Sequence, residues 1–491
     1  MRAYAREYDL IIIGTGSAMN YINAIIAAKP EGKIAVIDKD DPGGICLTRG
    51  CIPSKLLLYP AELLREIETA KEFGIEVQIR GIAFQKIMEK MRRKISAEVE
   101  LIRKGLFQSP EIDYYPEPAE FIAPYTLKVG AETLKSKNFF LCTGSKPAIP
   151  PIKGLLETGY LTSDTVLELE KLPKSLLIQG GGYIGAEYGH FFSAMGAEVT
   201  LIGRNSQFLP QEEPEVSRLA GRKMGQYMRI FTNHEALEVR QGKKEEKGEE
   251  KEKPSEEKTV LVQNLASGEK IEFRAEEILL ATGRSSNSDI LQPEKAGIET
   301  DKQGWLSVNA YLETSKPGIW AFGDANGKYL LKHVGNYESG IVYRNAILNE
   351  KVKADYHAVP HAVFSYPEIA SVGLKEAEAL EKYGKDKLLI GFQLFEETAK
   401  GMALEAKDYF VKVILEKASG KILGAHIIGP HASVLLHQIL PLMYTASGDA
   451  SPLMRSMDIH PALNEVVSRA FFSRMSPESY HQLLRRLGLE P

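Results

Sequence analysis

Ser175-Leu176-Leu177-Ile178-Gln179-Gly180-Gly181-Gly182-Tyr183-Ile184-Gly185 is an apolar run that ends in a turn built on glycine, and a helical stretch to about Met195 follows it. A second apolar run, Glu198 to Ile202, comes next. Strand, glycine turn, helix, strand is the grammar of a nucleotide-binding βαβ unit. The glycines let a pyrophosphate approach the backbone at a helix N-terminus, and Gly180, Gly182 and Gly185 hold all three positions of that pattern. With the flanking strand and helix in place, phosphate binding outweighs a merely structural turn.

The same grammar opens the chain. Tyr8 to Ile13 is a β-branched run, Gly14-Thr15-Gly16 is the turn, and a small-residue helical stretch runs through Ala28. The next strand, Ile34 to Ile37, ends at Asp38, 24 residues past Gly14. An acid there can hold a ribose hydroxyl. Met19 stands where the third glycine is expected, which puts only close helix–strand packing in doubt. Each copy later reaches a strand closed by a Thr-Gly turn: Phe139 to Gly144, with Thr143 and Gly144, and Ile278 to Gly283. The duplication implies two dinucleotide-binding folds. They differ where the acid should be, because the second copy has Gly203 followed by Arg204. An arginine there can accept a 2′-phosphate, which argues for NADPH over NADH.

The chain has 491 residues, 44% hydrophobic and 26% charged, enough for two to four domains with sizeable cores. A net charge of −4 gives no reason to expect nucleic acid. No apolar run approaches the length of a membrane span, so a soluble protein is expected. Three cysteines are too few for a disulfide-stapled secreted scaffold and fit a reducing compartment, with cytoplasm the default. The Lys- and Glu-rich stretch from Gly242 to Lys258 reads as a solvated loop. From about Asp355 the character changes: runs at Phe410 to Leu415 and Ile422 to Ile428 precede a helical stretch, Ala432 to Thr445, and a final helix follows His460-Pro461. That is α+β material and a separate domain.

The sharpest local feature is Gly43-Gly44-Ile45-Cys46-Leu47-Thr48-Arg49-Gly50-Cys51-Ile52-Pro53-Ser54-Lys55. Two thiols five residues apart, with Pro53 near a helix start, can close a small disulfide beside a positive helix end, and such a site favours thiolate. Zinc or two unrelated buried thiols are the alternatives. Zinc lacks neighbouring ligands, since the next histidine is His190. Cys142, at a strand end, reads as core filling.

These motifs, with Ile319-Trp320-Ala321-Phe322-Gly323-Asp324 and His460-Pro461-Ala462-Leu463-Asn464-Glu465, make the chain resemble a class I pyridine nucleotide–disulfide oxidoreductase over nearly its whole length. Its overall pattern is closest to dihydrolipoamide dehydrogenase. The resemblance implies an α/β fold of two Rossmann-like domains plus a C-terminal α+β dimerisation domain. It divides into 1–155 (FAD-binding), 156–283 (NAD(P)-binding), 284–352 (a return to the FAD domain) and 353–491 (dimerisation).

Cys51 is then the thiol against the flavin and Cys46 the interchange thiol. Lys55 and Glu187 form an ion pair beside the flavin, and Tyr183 gates the nicotinamide pocket, as in glutathione-type reductases. Asp324 holds the ribityl chain, and Gly44, Gly283 and Gly323 join the cofactor-binding set. His460 with Glu465 is the acid–base pair serving the other subunit of an obligate homodimer. Hydride passes from the nicotinamide to FAD and on to a Cys46–Cys51 disulfide, or the reverse; no metal is implied.

The expected activity is that of a dihydrolipoamide dehydrogenase, with a dehydrogenase complex as a possible partner. The alternative is an NADPH-dependent reductase of a small disulfide of the mycothione or glutathione type, to which Gly203, Arg204 and Tyr183 lean. A mercuric reductase is disfavoured by the lack of an N-terminal metal-binding module and of a C-terminal cysteine pair. A flavin-bearing docking subunit is a third class, disfavoured by the retained cysteines, Lys55, His460 and Glu465.

Overall fold

A computed structural model describes residues 5–243 and 254–490. The run Leu10–Ile13 is buried along its length and pairs in parallel with Ile34–Ile37 and Phe139–Leu141. Ile319–Ala321 joins beyond Phe139–Leu141, and Ile112–Tyr115 beyond Ile34–Ile37, completing a five-stranded parallel sheet. Strands covered on both faces need continuous apolar runs, and all of these sequences but the edge strand Ile112–Tyr115 supply them.

The second sheet repeats the order strand for strand: Leu161–Thr162, Glu277–Leu280, Ser175–Gln179, Glu198–Ile202, Arg229–Phe231. Each fold also carries an antiparallel meander. In the first it is Ala119–Ala123, Thr126–Val129 and Glu132–Ser136; in the second it is His234–Lys243, Pro254–Asn264 and Lys270–Ala275.

Three expectations are corrected. The helix after the first glycine turn is not uniform: Ser17–Tyr21 is 3₁₀ and the α-helix is Ile22–Ala28. In the second copy Tyr183–Met195 is α-helical from its first turn. The flanks of the charged stretch are strand rather than loop, since Gln241 pairs with Lys258 and Lys243 with Pro254. The rest of that stretch, 244–253, lies outside the described residues. Finally, the helix expected over Ala432 to Thr445 is two short helices, Ala432–Leu436 and Leu440–Met443. Pro441 has no N–H to continue a helical ladder, so it sits at the start of the second.

The C-terminal part is a six-stranded antiparallel sheet in the order Pro360–Val363, Ile369–Gly373, Ile422–Ile428, Phe410–Glu416, Leu388–Leu394, Arg474–Met475. Lys412, in Phe410–Glu416, is fully buried and bonds Glu215 (2.6 Å), Glu376 (2.7 Å) and Glu213 (3.2 Å). Tyr480 donates to Glu215 at 2.6 Å and His481 meets Glu376 at 2.9 Å. Burial alone would lower the lysine's pKa, but the three carboxylates hold it above the ordinary value. The network ties the helix Pro214–Met224 of the second fold to the helices Glu376–Tyr383 and Pro477–Leu487. Among the described residues no helix is long and apolar enough to cross a membrane.

Candidate active site

A cavity of about 1230 Å³ opens between the first glycine loop, the cysteine motif and the Gly323 turn. Gly14, Gly16, Asp38 and Gly44 line one end of it, Thr143, Gly144, Gly323 and Asp324 another wall. Cys46, Cys51, Lys55, Tyr183 and Glu187 face the same space. Gly180, Gly182 and Gly185 of the second glycine loop, Arg204 past the strand Glu198–Ile202 and Gly283 past the strand Glu277–Leu280 are not on its lining; His460 and Glu465 are elsewhere in the same chain.

Gly14 sits at φ +104°, where a Cβ would come within 2.2 Å of the Cys142 carbonyl oxygen. Its N–H donates to Ile37 O at 2.8 Å, which seats the turn on the end of the second strand. Asp38 accepts from Thr15 N (2.8 Å) and Thr15 Oγ1 (2.5 Å), so the acid is fixed against the loop. Burial raises its pKa and the Thr15 hydrogen bonds oppose that. A Cβ on Gly44 would come within 2.6 Å of Gly16 Cα, so these two glycines keep a backbone cradle open.

In the second loop Gly180, at φ +134°, repeats the arrangement of Gly14: a Cβ there would lie 2.1 Å from Ala281 O. Gly180 N donates to Ile202 O at 2.8 Å. A Cβ on Gly185 would lie 2.1 Å from Gly180 O, which packs the helix tightly on the turn, while Gly182 faces open space. Gly203 N donates to Phe231 O at 2.8 Å just as Asp38 N donates to Tyr115 O at 3.0 Å. Gly203 thus occupies the place of Asp38. Arg204 beside it is 72% exposed, its guanidinium 3.8 Å from Glu235.

Cys46 lies in the short helix Gly44–Thr48, and Cys51 opens Cys51–Thr69. Both are free thiols, hydrogen-bonded to each other. That bond, with help from the Lys55 ammonium, outweighs burial and brings Cys51 down to about 7. The same bond and burial push Cys46 up. The pair divides into one thiolate and one proton-holding thiol. Lys55 Nζ is bidentate on Glu187 at 2.9 and 2.7 Å and lies 4.7 Å from the Phe364 ring centroid. Phe364 N donates to Glu187 at 3.1 Å. Tyr183, the first residue of its helix, has its phenol pushed up to about 12 by burial.

Residues 8–342 match the model of the pyridine nucleotide-disulphide oxidoreductase family, and 359–471 match that family's dimerisation domain. The chain belongs to this family. Mycothione reductase of Mycobacterium tuberculosis is 33% identical over 94% of this chain and 98% of its own. Dihydrolipoyl dehydrogenase of Chlamydia pneumoniae is 33% identical over 94% and 95%. The solved structure of the HOCl-induced flavoprotein disulfide reductase RclA from Escherichia coli, 24% identical, superposes with a TM-score of 0.81 over 95% of this chain and 99% of that one.

The oxidoreductase is a flavoprotein acting on a sulfur group with NAD(P) as the nicotinamide partner, and its cofactors are FAD and NAD(P)H. The cavity suits the flavin. Its glycine cradle would be filled by any Cβ, and Thr143 Oγ1 on its wall is buried with no hydrogen-bond partner among the described residues.

Several residues at or behind the wall of the oxidoreductase's cavity escape a linear reading. Ser145 donates to Asp324, and Arg284 donates to Ser145 Oγ (2.6 Å) and Ser145 O (3.0 Å), so a three-residue chain aims the Asp324 carboxylate. Glu338, buried, accepts from Gly323 N at 2.6 Å and Tyr356 OH at 2.5 Å and fixes the turn. Arg284 directly follows Gly283, a position the duplicated Thr-Gly turn could have flagged. Glu338 and Lys332 had no such signal.

His460 Nδ1 meets Glu465 Oε1 at 3.0 Å, and that bond lowers the Glu465 pKa. The His460 side chain is 67% exposed and does not line the cavity of its own chain. Among the described residues no group of three or more His, Cys, Asp or Glu is placed to hold a metal ion.

Proposed function

We propose that this oxidoreductase uses NADPH to reduce a low-molecular-weight disulfide of the mycothione or glutathione class through Cys46 and Cys51. The observation that carries the choice is Gly203 in the place of Asp38, with the exposed Arg204 next to it. A carboxylate there would repel a 2′-phosphate, and an exposed guanidinium, held only by a long 3.8 Å contact with Glu235, attracts one. The mycothione reductase relative agrees with this reading.

FAD, when bound, carries the electron pair between nicotinamide and dithiol. Cys46 attacks the substrate disulfide and releases its first thiol; Cys51, the lower-pKa thiol, then attacks the Cys46 sulfur of the mixed disulfide, releasing the second thiol and leaving a Cys46–Cys51 bond. Glu187 fixes the Lys55 ammonium near Cys51, and Tyr183 covers the nicotinamide pocket until the cofactor arrives. His460, its Nδ1 held by Glu465, moves the thiol proton at Nε2. Because His460 stands outside its own chain's cavity, a homodimer in which it serves the other copy's thiols is part of the proposal. The divisions 1–155, 156–283, 284–352 and 353–491 belong to it too.

A second reading, NAD-dependent oxidation of dihydrolipoamide within a dehydrogenase complex, is favoured by the dihydrolipoyl dehydrogenase relative. Anaerobic reduction with NADPH, NADH and dihydrolipoamide in turn, following the long-wavelength thiolate-to-flavin band, separates the two. Faster reduction by NADPH with no response to dihydrolipoamide is expected; a band raised by dihydrolipoamide and discharged by NAD overturns it. Cys46→Ser should abolish disulfide turnover and leave flavin reduction by NADPH intact, and loss of both would remove Cys46 from its role.

A further inference from the structure

A second cavity, a groove of about 550 Å³, runs between the helices Cys51–Thr69 and Phe84–Gln108. Its walls carry Lys55, Lys86, Lys90 and Lys94, and no acidic residue lines it. Lys55 is bound to Glu187, but Lys86, Lys90 and Lys94 are exposed and form no ion pair among the described residues. Glu89, on the same helix as these three, accepts from Gln85 instead. Leu56, Tyr59 and Met91 give the groove an apolar floor, of which Tyr59 is 62% exposed.

Lysines at i, i+4 and i+8 stand on one helical face and repel one another, which is unfavourable unless an anion lies among them. At about 1.5 Å per residue the row spans about 12 Å, so the anion that answers it is extended or carries more than one charge. The two nucleotides of the oxidoreductase do not fit that description of place. No residue of either glycine loop or of the second nucleotide fold lines the groove, and the Lys55 side chain, which lines both cavities, stands between it and the flavin cavity. The thiols, in contrast, are close. Cys51, Lys55 and Tyr59 follow one another at intervals of one turn on one face of Cys51–Thr69, and Cys51 is exposed. The groove therefore begins about one helical turn from the redox pair.

We propose that this lysine row receives the anionic groups of the disulfide substrate, so that a carboxylate-bearing disulfide of the glutathione kind is preferred to an uncharged one. One arm of a disulfide whose sulfurs are at the thiols reaches the groove along the face shared by Cys51, Lys55 and Tyr59, with its apolar part on the Tyr59 ring and its carboxylates among the lysines. Lys86, Lys90 and Lys94 take no part in the exchange of bonds. They are positioning residues, which act on the encounter and on the hold of the substrate.

The proposal rests on Cys46 and Cys51 being the redox pair, and the test separates the two. FAD-loaded protein with NADPH is given two chromogenic disulfides, dithiobis(nitrobenzoate), a dianion, and dithiodipyridine, which is uncharged. In wild type the ratio of kcat/KM for the dianion to that for the uncharged probe should fall as salt is added, because screening shortens the reach of the lysines. Combining Lys86→Gln, Lys90→Gln and Lys94→Gln should lower that ratio about 10-fold at low salt and remove most of its salt dependence. Combining Lys86→Arg, Lys90→Arg and Lys94→Arg, which keeps the charges, should retain the wild-type ratio. A glutamine variant with the wild-type ratio assigns the lysines to another occupant and overturns the proposal, and so do rates that drop equally with both probes. Cys46→Ser protein that still turns over both probes overturns the redox pair itself, and the proposal with it.

Discussion

The two glycine loops are the same piece of architecture put to opposite ends. In both, the first glycine sits at positive φ over a carbonyl of the strand that ends in Thr-Gly, and its N–H caps the second strand. In the first loop Asp38 closes on Thr15, and the turn runs into a 3₁₀ segment at Met19. In the second, Gly185 lets the helix begin at once, and Gly203 leaves the place of the acid empty beside an exposed Arg204. What is held constant is backbone geometry, which any pyrophosphate needs. What varies is the side chain at the end of the second strand, which tells one ribose from another.

The comparison breaks most visibly at the first glycine. Gly14→Val should give protein that purifies without flavin, seen as loss of visible absorbance. Gly180→Val should keep the flavin and slow its reduction by NADPH about 100-fold or more in stopped flow, because each new side chain would strike a carbonyl from strained backbone. A Gly180→Val protein without flavin would undo the division of labour.

A smaller effect sharpens the contrast at the ribose. Arg204→Leu should lower kcat/KM for NADPH about 10- to 100-fold and leave that for NADH within about two-fold, since the guanidinium recognises only the 2′-phosphate. Equal losses with both cofactors would make Arg204 structural.

The pH dependence of the shared thiols follows in size. Cys51 titrates at about 7, below the ordinary thiol value. The long-wavelength band of the two-electron-reduced enzyme should therefore grow as pH rises through that point and fade below it; a midpoint at the ordinary thiol value would contradict the Cys46 hydrogen bond. The smallest effect is expected at Met19→Gly. It should leave flavin bound and cost about 1 kcal/mol of stability, read as a shift in Tm, because glycine loosens a helical turn that already accommodates the larger side chain.

Much of this was legible in the sequence because the informative residues are backbone-determining. Gly14, Gly180 and the Thr-Gly turns mark chain geometry, and the β-branched runs beside them mark fully covered strands. Asp38 and Gly203 were comparable before any coordinates because both stand at a strand end. The 3₁₀ turn at Ser17–Tyr21 was hidden because small and apolar residues fit either helix. The strand flanks of the charged stretch were hidden by composition, since hairpin arms in solvent tolerate lysine and glutamate. Arg284 and Lys332 reach the cavity, and Glu338 the Gly323 turn behind it, only when distant segments meet, so no local pattern announces them. His460 and Glu465 were recognisable as a pair, but spacing says nothing of how far they stand from the thiols of their own chain.

The Lys412 network has a mechanical consequence. It seats a lysine, three carboxylates and a tyrosine, all buried, across the seam between the second nucleotide fold and the C-terminal sheet. Swinging the two apart would leave those charges without partners, each costing several kcal/mol. The seam is a weld rather than a hinge.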